Sequence, residues 1–352
     1  NMPDMDGIVA TEAIRKKLPF VQIIILSVQG DTNYMRRAML AGARDFLTKP
    51  PMIDELTSAI RRAGLIAQEE MLKTAAMGSA PTIQQGSPSQ VGFEPVNGKI
   101  IVIYSPKGGT GTTTIATNLA VYLQTNETKV ALVDGNLQFG DVAVFLNEAG
   151  KNTILDLTSR VDDLDPDIVE EVMVTHSASG VRILAAPSRP EQAEKVSGDQ
   201  FGKVLSYLKG IYHYVVVDTT SYLTDIGLAA IDQADILVLI TTQDIPAIKS
   251  TKAFLSLADA IRLQRERILF VMSRYNRQIA ISPEKVGESL KQEINLVVPI
   301  DEKIVVPGVN RGIPFMLEAG KTQPVGKAII GLADLIKERI VKLETPEIAI
   351  KK

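Results

Sequence analysis

From Lys99 onward the chain repeats one pattern: a short run of aliphatic and β-branched residues, then a longer stretch with helical spacing. The runs are KIIVIYS (99–105), KVALVDG (129–135), VRILAAP (181–187), YHYVVVDTT (212–220), ADILVLITT (234–242), RILFVMSRY (267–275) and LVVPID (296–301). Most are continuously apolar and do not alternate, as strands must be when helices cover both faces of a parallel sheet. Strand and helix in alternation predict a doubly wound α/β layer. Ligands of such layers bind beyond the carboxyl ends of the strands, so the loops after these runs are where chemistry is expected.

Upstream of Lys99 the composition changes twice. Residues 76–98, AMGSAPTIQQGSPSQVGFEPVNG, are rich in Gly, Pro, Ser and Gln and nearly free of periodic apolar positions, the signature of a flexible linker. Residues 1–70 return to alternating strand and helix patterns. A length of 352 residues accommodates about two domains of roughly 150 residues each. The expected division is a first domain over 1–70, a linker over 71–98, the main domain over 99–345 and a frayed tail over 346–352.

Composition removes several function classes. There are no cysteines, which excludes disulfide frameworks and thiolate metal sites. The 2 histidines, His176 and His213, are too few for a histidine metal cluster, and His213 reads as a packed residue at a strand entrance. A net charge of −3 gives no global basic field for nucleic acid or anionic lipid. The longest apolar runs, VQIIILSV and ADILVLI, are too short to span a bilayer, and no signal-peptide pattern opens the chain. A cytoplasmic location is expected.

The loop KGGTGTTT (Lys107–Thr114) follows the first run of the main domain and opens the helical stretch TTTIATNLAVYLQ. A phosphate cradle needs glycines, so that successive backbone N–H groups can turn inward, and a helix N-terminus behind them. Gly108, Gly109 and Gly111 meet the first need and the following helix the second, with the Thr113 hydroxyl placed to ligate Mg²⁺. A glycine turn packed tightly between strand and helix would look the same from spacing alone.

The wider pattern resembles a known family. KGGTGTTT is similar to the deviant Walker A motif K-G-G-x-G-K-T-T of ParA/MinD-class P-loop ATPases. VALVDGNLQFGD resembles that class's switch I, with Asp134 near Mg²⁺, and YVVVDTTSY its Walker B and switch II, with Asp218 as the water-mediated Mg²⁺ partner. The resemblance implies ATP and Mg²⁺ as ligands. It also implies a nucleotide-dependent homodimer in which Lys107, the signature lysine, crosses to the partner's nucleotide. The ATP-binding set carried over is Lys107, Gly108, Gly109, Thr110, Gly111, Thr112, Thr113 and Thr114, with Arg274, Pro299 and Asp301 around the base and Thr113, Asp134 and Asp218 around the metal.

Two departures stand out. Thr112 occupies the place of the lysine that holds the β- and γ-phosphates, and Asn136 that of the aspartate that orients the attacking water. Phosphoryl transfer is mostly positioning and charge stabilisation, and an asparagine cannot accept a proton as a carboxylate can. ATP binding with slow or absent hydrolysis is therefore expected, with turnover below about 1 per second.

Over Lys99–Leu343 the segments LVDGNLQFGDVAVFLN, TTQDIPAIKSTKAFLSL and VPIDEKIVVPGVNRGIPFMLEAG are similar to the TadZ/CpaE group of pilus-assembly proteins. That implies a localisation factor for a tight-adherence (Flp) pilus secretion machine, cytoplasmic, gathered at a cell pole beside the inner membrane through its partners. Alternatives are a DNA-partitioning ParA-type ATPase, using basic residues such as those in RLQRER and KERIVK, and a MinD-like switch docking AIIGLADLIKERIVKL on a membrane. Specific nucleic-acid binding is not expected.

The opening NMPDMDGIVATEAIRKKLP resembles the segment after the phosphoacceptor aspartate of two-component receiver domains. Ser27 then takes the hydroxyl switch position, Phe46 the aromatic switch and Lys49, before Pro50, the phosphate-contacting lysine. By that register residues 1–70 form the second half of a flavodoxin-like receiver. The acceptor aspartate is expected to precede residue 1 in a longer natural chain.

Overall fold

A computed structural model describes residues 96–345 and, before them, parts of 7–56 that include 21–27 and 45–50. The chain divides into two compact units, Asn1–Gln90 and Val91–Lys352. Most of the expected linker, nearly all of residues 51–70 and the tail lie outside the described residues.

In the first unit β1 (Ile24–Ser27) pairs in parallel with β2 (Asp45–Thr48), Ser27 opposite Thr48. Ile8, Ile25, Ala38, Ala41 and Ala43 pack together beneath them. The Lys49 N–H donates to the Ser27 carbonyl at 2.8 Å, which draws the two strand ends together.

The second unit is a single eight-stranded sheet. Its strands are β3 (Lys99–Tyr104), β4 (Val130–Asp134), β5 (Val174–Thr175), β6 (Arg182–Leu184), β7 (Tyr214–Asp218), β8 (Ile236–Thr241), β9 (Ile268–Tyr275) and β10 (Leu296–Pro299). The spatial order is β10-β9-β8-β3-β7-β4-β6-β5, parallel throughout except for β5 against β6. The helices are α1 (Thr112–Leu123), α2 (Val142–Phe145), α3 (Ile154–Thr158), α4 (Pro166–Val172) and α5 (Gly198–Lys209), followed by α6 (Asp225–Gln233), α7 (Ile245–Ala260), α8 (Pro283–Leu290), α9 (Glu302–Arg311) and α10 (Pro324–Glu344).

The continuous apolar runs are explained by two separate cores. In β3, Ile100, Val102 and Tyr104 face one core while Ile101 and Ile103 face the other, as the two-residue period of a strand requires. Phe201 of α5, Ile231 of α6 and Phe254 of α7 close the first core. Leu119 of α1 and Ile329, Leu332 and Ile336 of α10 close the second. Burial on both faces leaves no place for polar alternation.

All seven expected runs form strands; β5, a two-residue edge piece, carries no readable period and was not expected. The ordered unit also begins before Lys99, since Val96 and Gly98 donate to the carbonyls of Gly210 and Lys209, each at 3.1 Å. His213 sits partly buried at the entrance to β7, its Nδ1 accepting from the Lys129 N–H at 3.0 Å.

Candidate nucleotide site

The central strand β3, flanked by β7 and β8, delivers the loop 105–111 to the carboxyl edge of the sheet. Gly109 (φ 78°) and Gly111 (φ 89°) both lie in the left-handed region, where a side chain is strained, and no other atom comes near their missing Cβ positions. Gly111 opens α1 without a side-chain cap, and its carbonyl accepts the Ile115 N–H at 2.9 Å. Lys107, Gly108 and Gly109 are exposed, Thr110 is buried, and Thr112, Thr113 and Thr114 begin the helix half-buried.

The two aspartates are brought side by side by strand register, Asp134 of β4 opposite Asp218 of β7. A Cβ at Gly135 would stand 2.7 Å from the Asp218 carbonyl, which instead receives the Gly135 N–H at 2.7 Å. That is why the segment reads Asp-Gly there. The Thr113 hydroxyl donates to Asp218 Oδ2 at 2.6 Å, and Asp218 Oδ1 is buried without a partner. Asp134 accepts the backbone N–H groups of Asn136 (3.0 Å) and Val142 (3.1 Å).

Burial penalises both charges. Desolvation carries the Asp134 carboxyl up to about 7, against the pull of its two backbone donors. Desolvation first, and the Asp134 charge second, hold Asp218 well above the carboxylate range, with the Thr113 bond opposing. Two buried carboxyls, one of them with an orphaned oxygen, and a hydroxyl form a donor set suited to a small hard cation. Among the described residues no group of three or more acidic or histidine side chains could hold a metal unaided. Mg²⁺ commonly takes one or two protein oxygens and fills its remaining positions with phosphate and water, so these residues fit a nucleotide-borne Mg²⁺.

Beside the loop lies an open cleft with a cavity volume of about 150 Å³. Thr110, Gly111 and Thr114 form one wall, and Arg274, Pro299 and Asp301 the other, with Phe315 and Ile329 below. The three expected base-side residues thus meet the phosphate loop across one space. Asp301 also caps α9 through the Ile304 N–H (3.3 Å), and Arg274, in a left-handed conformation (φ 53°), reaches Glu302 at 3.9 Å.

Asn136 stands apart. Its amide donates to the Phe139 carbonyl at 2.7 Å and accepts from the Phe139 N–H at 3.5 Å, closing its own loop, and it borders a second cleft with Thr220, Tyr222 and Asp225. The structure brings its backbone, not its amide, to Asp134. In the first unit Ser27 ends β1 and Lys49 directly follows β2, and Phe46 of β2 pairs with Ile25 of β1, its side chain outside what is described.

Two further residues help to build this site. Asn118, buried on α1, bonds the Thr114 carbonyl (2.8 Å) and the Met316 N–H (3.0 Å), fixing the cleft floor to the loop helix. The signal was there: a lone amide on the apolar face of IATNLAVYL. Ser273, in the run RILFVMSRY, donates to the Thr110 carbonyl at 2.6 Å.

Comparisons with known proteins bear on the fold that carries this site. Residues 1–61 match the response regulator receiver domain, and residues 98–270 match an AAA domain family. The septum site-determining protein MinD of Thermotoga maritima is 24% identical over 266 residues, covering 72% of this chain and 94% of that protein. MinD of Pyrococcus furiosus is 27% identical with a TM-score of 0.59, over 70% of this chain and 99% of that one. MinD of Pyrococcus horikoshii, solved with Mg-ADP, is 25% identical with a TM-score of 0.60, over 70% and 99% respectively. The larger unit has the ParA/MinD-type P-loop ATPase fold, and a receiver-type domain precedes it.

Proposed function

We propose that the chain binds Mg-ATP at the glycine loop, hydrolyses it slowly or not at all, and uses occupancy to bring two copies together as a positioning factor. The carrying observation is the Thr113–Asp218 bond of 2.6 Å beside the buried Asp134, at the start of an uncapped helix. In this reading Thr113 and the two aspartates hold Mg²⁺, which neutralises phosphate charge when bound. The backbone N–H groups of 108–114 hold the phosphates, and Arg274, Pro299 and Asp301 border the base. Thr112 brings no charge to the transferred group and Asn136 no base, which keeps hydrolysis slow.

Pairing of two copies is supported by exposed apolar residues clustered at the carboxyl edge of the sheet. Phe139, Tyr222 and Ile245 follow β4, β7 and β8 and are 68%, 78% and 67% exposed, on the edge that also carries the exposed Lys107. Among the described residues Lys107 has no carboxylate partner, so its charge is available to a neighbour's nucleotide. The role in placing a tight-adherence pilus machine at a cell pole rests on the sequence similarity across 99–343.

The DNA-partitioning alternative draws less support, because three of the four arginines in its basic segments are engaged within the domain. Arg265 forks onto Asp259, and Arg267 and Arg339 reach backbone carbonyls. The membrane alternative is weakened by α10, whose Ile329, Leu332 and Ile336 are fully buried in their own domain. No described helix is long and apolar enough to cross a membrane.

Titration calorimetry with Mg-ATP, followed by ultracentrifugation with and without nucleotide, tests the reading. Saturable heat, a shift to dimer and turnover below about 1 per second are expected. Absence of binding heat, or turnover at ordinary enzyme rates, overturns it.

A further inference from the structure

We propose that Ser273 is a positioning residue for the phosphate loop, holding the Thr110 carbonyl so that the Gly111 N–H faces an incoming anion. This rests on the reading of the loop as a nucleotide site.

Ser273 ends the apolar part of β9 and is 1% exposed. Its hydroxyl donates to the Thr110 carbonyl at 2.6 Å, across 163 positions of sequence, and its next acceptor, the Thr241 carbonyl, is farther at 3.5 Å. The Thr110 side-chain hydroxyl has no hydrogen-bond partner, so this residue is tied to the sheet by its main chain.

A trans peptide is planar, and its C=O and N–H point in opposite directions. Among the described residues the one cis bond is Lys49–Pro50, so Thr110–Gly111 is trans. With the Thr110 oxygen drawn down to the end of β9, the Gly111 N–H is directed away from the sheet. Thr110 is buried and Gly111 partly exposed, so that direction is the open side of the loop, where Gly111 and Thr114 border the cleft. A flip of this peptide would present an oxygen to the anion in place of a donor.

Thr112 raises the stakes. With no lysine at that position, the loop's own attraction for phosphate comes from oriented N–H groups and the helix end, and each misdirected donor costs a larger share of it. The hydroxyl in RILFVMSRY is therefore a part of the anion site, placed on β9 rather than on the loop or on α1.

The test compares the full chain with Ser273→Ala and Ser273→Thr. In ligand-free protein, hydrogen exchange of the amides in 107–114 should quicken about tenfold in Ser273→Ala, the scale of one lost buried hydrogen bond, and return in Ser273→Thr. Affinity for Mg-ATP and for Mg-tripolyphosphate should fall about tenfold together, while adenosine binding, read by saturation-transfer NMR, stays unchanged. Unchanged exchange, or equal losses for adenosine and tripolyphosphate, overturns the proposal. Should the alanine variant not fold, Ser273→Cys keeps the size with a weak donor, and wild-type exchange in it is equally fatal. A wild-type chain that binds no nucleotide sinks the ATP reading alone, because the exchange measurement still decides the role of Ser273.

Discussion

Strands β3 and β8 lie side by side, and each runs directly into a helix, yet the two helix N-termini are finished in opposite ways. At α7 the chain supplies its own anion: Asp244 accepts the Ala247 N–H at 2.9 Å and also the Thr242 hydroxyl. At α1 there is no cap and no acidic residue in the first turn, only two glycines at positive φ. The first four N–H groups of any helix lack internal partners and carry a partial positive charge. Where the chain fills that position itself, the end is structural; where it leaves it open beside a cleft, the end is suited to a ligand.

The largest break in this contrast comes from giving α1 the finish of α7. Gly111→Asp places a carboxylate where phosphate is expected and forces a side chain into the left-handed region, a strain of about 1–2 kcal/mol. Binding of Mg-ATP should fall more than about a hundredfold, since the carboxylate repels the phosphates at close range and occupies their place, while the backbone strain is read as lost stability. Calorimetry checks it; retained affinity would mean that the loop is not the anion site.

Next in size is Thr113→Ala, which removes the hydroxyl on Asp218. Mg-ATP should bind at least about tenfold more weakly, in keeping with a lost bond to a charged group, whereas ATP with EDTA should bind equally to both proteins. Equal loss with and without Mg²⁺ would assign Thr113 to the loop's packing instead. Thr112→Lys runs the other way. Restoring a cation should tighten ATP about tenfold, as charge-assisted hydrogen bonds allow, and a thermal shift with nucleotide reads it.

What was legible in the sequence follows from the same division between local and distant causes. KIIVIYS and ADILVLITT announce buried strands because two-sided burial suppresses alternation, and the glycines of KGGTGTTT announce positive φ. Asp134 and Asp218 could be placed at strand ends, but their adjacency depends on β4 pairing with β7 across a separation of 84 positions, which no local pattern encodes. Ser273 and Asn118 were hidden for the same reason. Each is one polar atom in an apolar run, and its meaning lies in a carbonyl or N–H brought to it by the fold. Asn136 shows the reverse limit: its position in the motif was readable, but its amide is spent on Phe139.

The carboxylates extend the contrast to pH. Asp244 spends its charge on a helix N-terminus, whereas Asp134 and Asp218 are buried next to each other and hold protons to unusually high pH. Between the unfolded value of 3.8 and about 7, folded Asp134 keeps a proton that the unfolded chain has released. The native state binds more protons in that window, so stability falls as pH rises through it. The unfolding free energy of the nucleotide-free chain, from urea titrations, should fall between pH 5 and pH 7, by up to about 1.4 kcal/mol per pH unit for one proton. Asp134→Asn should flatten that slope, and an unchanged slope would mean that other groups set it.

The smallest effect belongs to the capped helix, and it is the control for the rest. Asp244→Ala leaves the Ala247 N–H without its side-chain acceptor, and loss of such a cap costs about 1 kcal/mol. Denaturation should report that loss with or without nucleotide, and Mg-ATP affinity should be unchanged. The two ends lie on neighbouring strands of one sheet, so a general loosening of the carboxyl edge would weaken nucleotide binding as well. Stability lost with affinity kept would show that the finish of α7 serves the fold alone, leaving the open N-terminus of α1 as the one whose partner comes from outside the chain.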